Sequence, residues 1–205
     1  MKRTRIIFTF LTLVVLFCIT LSRVEKSPVV TTTNQTETTT RLTRVVWMGD
    51  REFDECWLED RIKQTLKSID VYDERMIDLL KKTAMYESQN GVYTMQRNPS
   101  GKSNILGVFQ IKKSTFLDLK KRNSEFEKDI EKVYISEKPL RWNLRYNLSL
   151  QIITANHYYR DRLDCLDKPL PPTHDIWKQG EIYKICWNTS KGLATTKKFV
   201  AFFHQ

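Results

Sequence analysis

Residues 83–111 read TAMYESQNGVYTMQRNPSGKSNILGVFQI, and the rest of the chain is organised around this stretch. An apolar run ends in Glu87-Ser88, a polar loop rich in Asn, Ser and Gly follows, and Gly107-Val108-Phe109-Gln110-Ile111 closes it. Upstream, Met76, Ile77, Leu79, Leu80, Ala84 and Met85 recur at the spacing of a buried helical stripe, which predicts a core helix over Arg75–Tyr86. Glu87 therefore sits at the end of a core helix, facing a loop that folds back over it. A carboxyl at the edge of apolar packing loses solvation, so its pKa rises and it keeps a proton near neutral pH. A general acid has that requirement.

Working outward, the pattern predicts further helices. Trp57, Leu58, Ile62, Leu66 and Ile69 recur at three or four residues, giving an amphipathic helix within Val45–Ile69. Its Asp54, Glu55, Glu59 and Asp60 read as first-turn charges and a solvated face. Lys112–Lys121 and Ser124–Val133 are helical, the second with Glu and Lys alternating at helical spacing, so Glu125, Glu127 and Glu131 are structural. Arg145–Leu163 has the strongest buried-helix pattern, with Leu148, Ile152, Ala155 and Tyr159 on one stripe, and reads as a central helix carrying His157 as a polar helix residue. Pro169, Pro171 and Pro172 make 167–174 a loop. A last apolar helix is expected over Leu193–Phe203.

The ordered set of Glu87-Ser88, then Gly107-Val108-Phe109-Gln110, then Trp187-Asn188 resembles the core of soluble lytic transglycosylases and goose-type lysozymes. Those families pair an E-S at a helix end with G-L-M-Q, carry an Asn-led helix ending in tyrosines, similar here to Asn147 with Tyr158 and Tyr159, and close with A-Y-N-x-G. The resemblance runs from about Met76 to the C-terminus. It implies a mainly α, lysozyme-like single domain over 47–205. Glu87 is then the acid, while Ser88 bonds Glu87 or substrate and Phe109, Gln110, Trp187 and Asn188 belong to the sugar groove. Two positions depart from the family pattern. Trp187 stands where Tyr is usual and lacks its hydroxyl, so that it either stacks on a sugar or fills the core, and Ser190 replaces Gly.

The N-terminal end is of another kind. Residues 1–5 form a basic head with Lys2, Arg3 and Arg5; residues 6–22 hold the apolar run IIFTFLTLVVLFCITL; and 23–46 form a Thr-rich stretch with too little apolar surface to fold. The apolar run is shorter than the roughly 20 residues that span a bilayer comfortably, between a signal-peptide core and a membrane anchor. Basic residues before it favour an inside N-terminus. The expected arrangement is a single-pass anchor, a disordered stalk and an extracytoplasmic domain, with secretion after signal cleavage as the alternative.

The chain of 205 residues, 40% hydrophobic, holds one ordinary domain, and its formal charge of +10 attracts anionic partners. Basic residues are spread out rather than massed, and no nucleic-acid motif is present, so nucleic acid is not an expected partner. Peptidoglycan strands, the membrane, and envelope or secretion machinery are. No cofactor or metal is expected, because His157, His174 and His204 show no ligand spacing with each other or with cysteine. Cys165 and Cys186 bracket the Pro-rich loop, and an oxidising compartment would allow a disulfide between them. Cys18 belongs to the apolar segment, and no Cys–His pattern marks a thiol nucleophile. Asn34, Asn147 and Asn188 begin N-glycosylation sequons, which matter only in a host with an endoplasmic reticulum; a glycan on Asn188 would obstruct the groove.

For chemistry, the resemblance implies cleavage of β-1,4 bonds in an amino-sugar polymer. No obvious partner acid lies near Glu87, since Asp118 is remote and reads as surface, and the expectation is a lytic transglycosylase using one carboxylate as acid and then base to form a 1,6-anhydro product. Hydrolysis by a goose-type lysozyme and a non-catalytic, membrane-anchored glycan-binding module are the alternatives.

Overall fold

Asp54 starts the first helix. Its carboxylate accepts from the backbone N–H groups of Cys56 and Trp57 at 2.9 and 3.2 Å, satisfying donors that a helix start leaves open. The computed structural model describes residues 54–94, 104–188 and 192–204, all within one compact unit. The basic head, the apolar segment with Cys18, the Thr-rich stretch, Asn34 and Ser190 lie outside them. Among the described residues no helix is long and apolar enough to cross a membrane.

Eight α-helices, one π-helix and a two-stranded hairpin make up the described structure. Helix α1 (Glu55–Lys67) buries Leu58, Ile62 and Leu66; α2 (Glu74–Ser88) starts on an Asp73 cap and buries Met76, Ile77, Leu79, Leu80 and Ala84, the stripe expected from sequence. The two helices pack together, and Lys81 of α2 bridges Glu55 and Glu59 of α1 at 2.8 Å each. Those acids thus join two helices rather than only facing solvent. Strands β1 (Ile105–Leu106) and β2 (Ile111–Lys112) pair antiparallel, and α3 (Lys113–Arg122) and α4 (Ser124–Glu131) follow.

The expected helix over Arg145–Leu163 is two helices, α5 (Leu140–Tyr146) and α6 (Leu148–Cys165). Asn147 separates them in an extended conformation, and its side chain accepts from the Leu150 N–H, so the residue that would continue one helix caps the next. Helix α6 packs against α1 through α5 and is buried around most of its circumference. Each fully buried Leu or Ile along it contributes about 1.5–3 kcal/mol over its exposed state. His157 is the polar helix residue expected from sequence and is buried: it is 6% exposed, bonds Asp129 at 2.9 Å and packs edge-on to Phe126, joining α6 to α4.

After the Pro-rich loop, α7 (Ile176–Ile182) runs into a π-helix (Tyr183–Asn188), and α8 (Thr196–Phe202) packs back on α7. The last helix is shorter than expected because Thr195 caps it, which leaves Leu193 in the preceding turn and exposed. The Cys165–Cys186 disulfide that the sequence allows is not formed. Cys165 ends α6 with an exposed thiol, whereas Cys186 is fully buried inside the π-helix, and both are free.

Candidate active site

The chain reverses sharply at the end of α2. Gln89, Asn90 and Gly91 all take positive φ, at 48°, 57° and 91°, a left-handed run that ends the helix and turns the backbone over its last residues. Ser88 fastens this turn: its hydroxyl donates to the Ala84 carbonyl at 2.6 Å and accepts from the Gly91 N–H at 2.8 Å. Fully buried, Ser88 has no face toward a substrate, and the role the resemblance implied for it gives way to that of a turn lock.

Opposite, the hairpin turn Gly107–Gln110 is clamped onto α6. The Val108 N–H donates to Gln151 Oε1 at 2.8 Å, and Gly107, at φ 75°, comes so close to α6 and α5 that a Cβ there would lie 2.2 Å from Gln151 Oε1 and 2.5 Å from the Leu144 carbonyl. Phe109 is fully buried against Trp187, with ring centroids 6.2 Å apart. It supports the groove from below and does not line it. Gln110 joins the two sides: its Nε2 donates to the Tyr93 carbonyl at 3.0 Å and to the Gly107 carbonyl at 2.7 Å. Its buried Oε1 has no partner among the described residues.

The third wall is the π-helix. Its wide turn brings residues four and five apart onto one side, so Tyr183, Trp187 and Asn188 all line the same groove. Tyr183 is buried, stacks on Phe199 with centroids 4.7 Å apart, and donates its hydroxyl to Glu87 Oε1 at 2.7 Å. Trp187 stacks on Tyr159 with ring centroids 5.3 Å apart and also lines the groove. Asn188 accepts from Lys184 Nζ at 3.1 Å and lies 3.5 Å from the Tyr183 hydroxyl.

These walls enclose a groove of about 650 Å³, lined by Glu87, Gln110, Tyr183, Trp187 and Asn188 among others. Four of the residues singled out in the sequence therefore meet at one place, from stretches separated by up to 101 positions (188 − 87). Burial pushes the Glu87 carboxyl from 4.5 up to about 7. The hydroxyl of Tyr183, the indole of Trp187 and the charge of Lys112 pull in the opposite direction and lose to desolvation. The carboxyl thus keeps a proton to a higher pH than an exposed one, which favours a group that gives a proton and takes one back.

No other Asp or Glu is found among the described residues lining the groove. Asp118 is an exposed surface residue paired with Arg122. Among the described residues no group of three or more His, Cys, Asp or Glu side chains could hold a metal ion.

Tyr183 was missed in the sequence. It lies four residues before Trp187, in the same motif, and supplies the hydroxyl that a tryptophan at 187 lacks. Tyr86, Lys112 and Lys198 also line the groove without having been singled out.

Compared with family models, curated proteins and solved structures, the chain matches none. The described residues define a class: a mainly helical domain with a buried carboxyl, Glu87, set in a polar, aromatic-walled groove.

Proposed function

We propose that this domain cleaves the β-1,4 glycosidic bonds of peptidoglycan as a lytic transglycosylase. The observation that carries the reading is Glu87, a carboxyl raised to about 7 by burial, which lines a groove of about 650 Å³ with no other Asp or Glu among the described residues that line it. In this scheme Glu87 gives its proton to the glycosidic oxygen as the bond from that oxygen to C1 breaks through an oxocarbenium-like state. The carboxylate left behind takes the proton of the same sugar's 6-hydroxyl, whose oxygen bonds to C1 and closes a 1,6-anhydro ring. Glu87 ends protonated, as it began, and no water is consumed.

The surrounding groups fit these steps. The Tyr183 hydroxyl donates to Glu87 Oε1, and the Trp187 indole also bonds the carboxyl, so the two together orient it. Trp187 offers an aromatic surface to a sugar ring, and Asn188 and Gln110 offer amide groups. The buried, unpartnered Gln110 Oε1 is an acceptor available to a hydroxyl or amide N–H. A hydrolase of the goose-type lysozyme kind would need a positioned water, and an inverting one a second carboxylate to activate it.

By the same reading the domain works outside the cytosol, tethered by its N-terminal segment, on the glycan strands of a cell wall. The test is clearing of purified cell walls by the full-length chain and by its Glu87→Gln variant. Clearing by the first and not by the second is expected, and equal clearing would overturn the assignment. Binding to walls without clearing by either would leave a non-catalytic glycan-binding module.

A further inference from the structure

A second recess, of about 590 Å³, lies between α6, α4 and the turn that follows α1. Asn156, Arg160 and Asp164 line it from α6, four residues apart on one stripe, and Glu125 and Lys128 line it from α4. Asp70 supplies the third wall, from the turn, at a left-handed φ of 57°. None of these residues lines the groove of Glu87. Asn156 is fully buried and still borders the recess. Its Oδ1 accepts from Arg160 Nε at 3.1 Å, and because a guanidinium has only donors, the amide fits only one way round. The other end of the amide is therefore Nδ2, a buried donor with no partner among the described residues. A buried donor is costly to leave unpaired, and an acceptor brought in by a ligand would satisfy it.

The charges around this amide fall into two sets. Asp129 is taken by His157 at 2.9 Å and by Lys132 at 3.3 Å, and Asp161 by Arg122. Among the described residues Asp70, Glu125 and Asp164 are left without a cationic partner, and Arg160 and Lys128 without an anionic one. We propose that the recess is a second binding site, for a short peptide with both ends free, whose carboxylate meets the Asn156 amide and the Arg160 guanidinium and whose ammonium group meets the unpaired acids. A carboxylate alone would pair with Asn156 and Arg160 but would enter among three acids. An ammonium alone would leave the buried amide without an acceptor. Asp70 and Glu125 belong to the other two walls, so a ligand that meets both sets carries its charges at separate ends, as a short peptide does. The planar guanidinium suits a carboxylate, and the volume lies in the range of small-ligand sites. The site stands apart from Glu87 and does not depend on what that carboxyl does.

Calorimetric titration of the full-length chain tests this with L-alanyl-L-alanine and its two capped forms, N-acetylated and C-amidated, which share one backbone and lack one charge each. The free dipeptide is expected to bind at one site, and each cap to weaken it by about tenfold or more, the scale of a hydrogen bond to a charged group. Arg160 is exposed, so Arg160→Gln keeps the fold. This variant should weaken the free and the N-acetylated dipeptides by a similar factor and leave the amidated one, which has no carboxylate, unchanged. Asn156→Ala should act in the same direction; its side chain is buried, so its melting curve is read alongside, and Arg160→Gln decides if it does not fold. Glu87→Gln should bind the dipeptide as the parent does, which separates the recess from the groove. No saturable binding up to about 10 mM dipeptide, equal binding of the three forms, or binding that survives Arg160→Gln would each overturn the assignment.

Discussion

The Tyr183 hydroxyl donates to Glu87 Oε1 at 2.7 Å across 96 positions of sequence. The bond joins the end of α2 to the start of the π-helix, and both partners are shaped by it. It partly offsets the desolvation that raises the Glu87 carboxyl. Burial, together with the adjacent carboxylate, raises the phenol far above its usual range.

Replacing Tyr183 with Phe keeps the ring stacked on Phe199 and removes only the donor. A donor to the charged form lowers a carboxyl pKa, so its loss should raise Glu87 beyond about 7 and move the alkaline limb of the pH–rate profile upward. The carboxyl also loses its orientation, and kcat should fall on the order of tenfold, the scale of one hydrogen bond to a charged group. The pH dependence of wall clearing by the two proteins checks both parts.

Glu87 should cost the fold stability at the pH where it would work. In the native state the carboxyl titrates near about 7, against 4.5 when unperturbed, so between those pH values the native chain binds more protons than the unfolded one. Stability therefore falls as pH rises through this window, by about 2 kcal/mol after allowing for the part-exposed edge of the site. Glu87→Gln removes the charge, and its melting temperature should exceed that of the parent by about 5 °C at pH 8 and by much less at pH 4. Melting curves at the two pH values decide this.

Gly107→Ala should cost at least about 2 kcal/mol, because position 107 combines a positive φ with a space already occupied by Gln151 and the Leu144 carbonyl. Relief of the clash would push the turn off α6, breaking the Val108 bond to Gln151 and displacing Gln110 from the groove. Denaturant unfolding measures the first effect, and loss of wall clearing under conditions where the variant is still folded measures the second.

The free thiols make a direct check on the absent disulfide. Cys56 and Cys165 are exposed and should react readily with an aromatic disulfide reagent in the native protein. Cys186 is buried, and burial pushes its thiol up to about 11, so it should react only on unfolding. Peptide mass mapping after labelling would identify each site, and failure of Cys165 and Cys186 to react even in denaturant without reductant would show that they are linked.

Legibility in the sequence followed the range over which the causes act. The stripe of α2 and the burial pattern of α6 are local and periodic, and both helices are found where the apolar spacing puts them. The pairing of Glu87 with Gln110, Trp187 and Asn188 was readable because the residues form a short, ordered set of motifs. Side-chain direction was not readable. Ser88 and Phe109 belong to the same motifs as Glu87 and Gln110, yet they point into protein, since adjacent residues in a helix end or a tight turn face different ways. Tyr183 escaped because its place beside Glu87 depends on a π-turn, whose five-residue step no α-helical periodicity reveals. The break at Asn147 depends on a side chain choosing the next helix over its own.

The central claim is tested most directly by mass spectrometry of the fragments that the full-length chain releases from purified peptidoglycan. Cleavage by Glu87 alone predicts muropeptides ending in 1,6-anhydro sugars, with none released by Glu87→Gln. Fragments with free reducing ends, or the same fragments from the Gln variant, would contradict it.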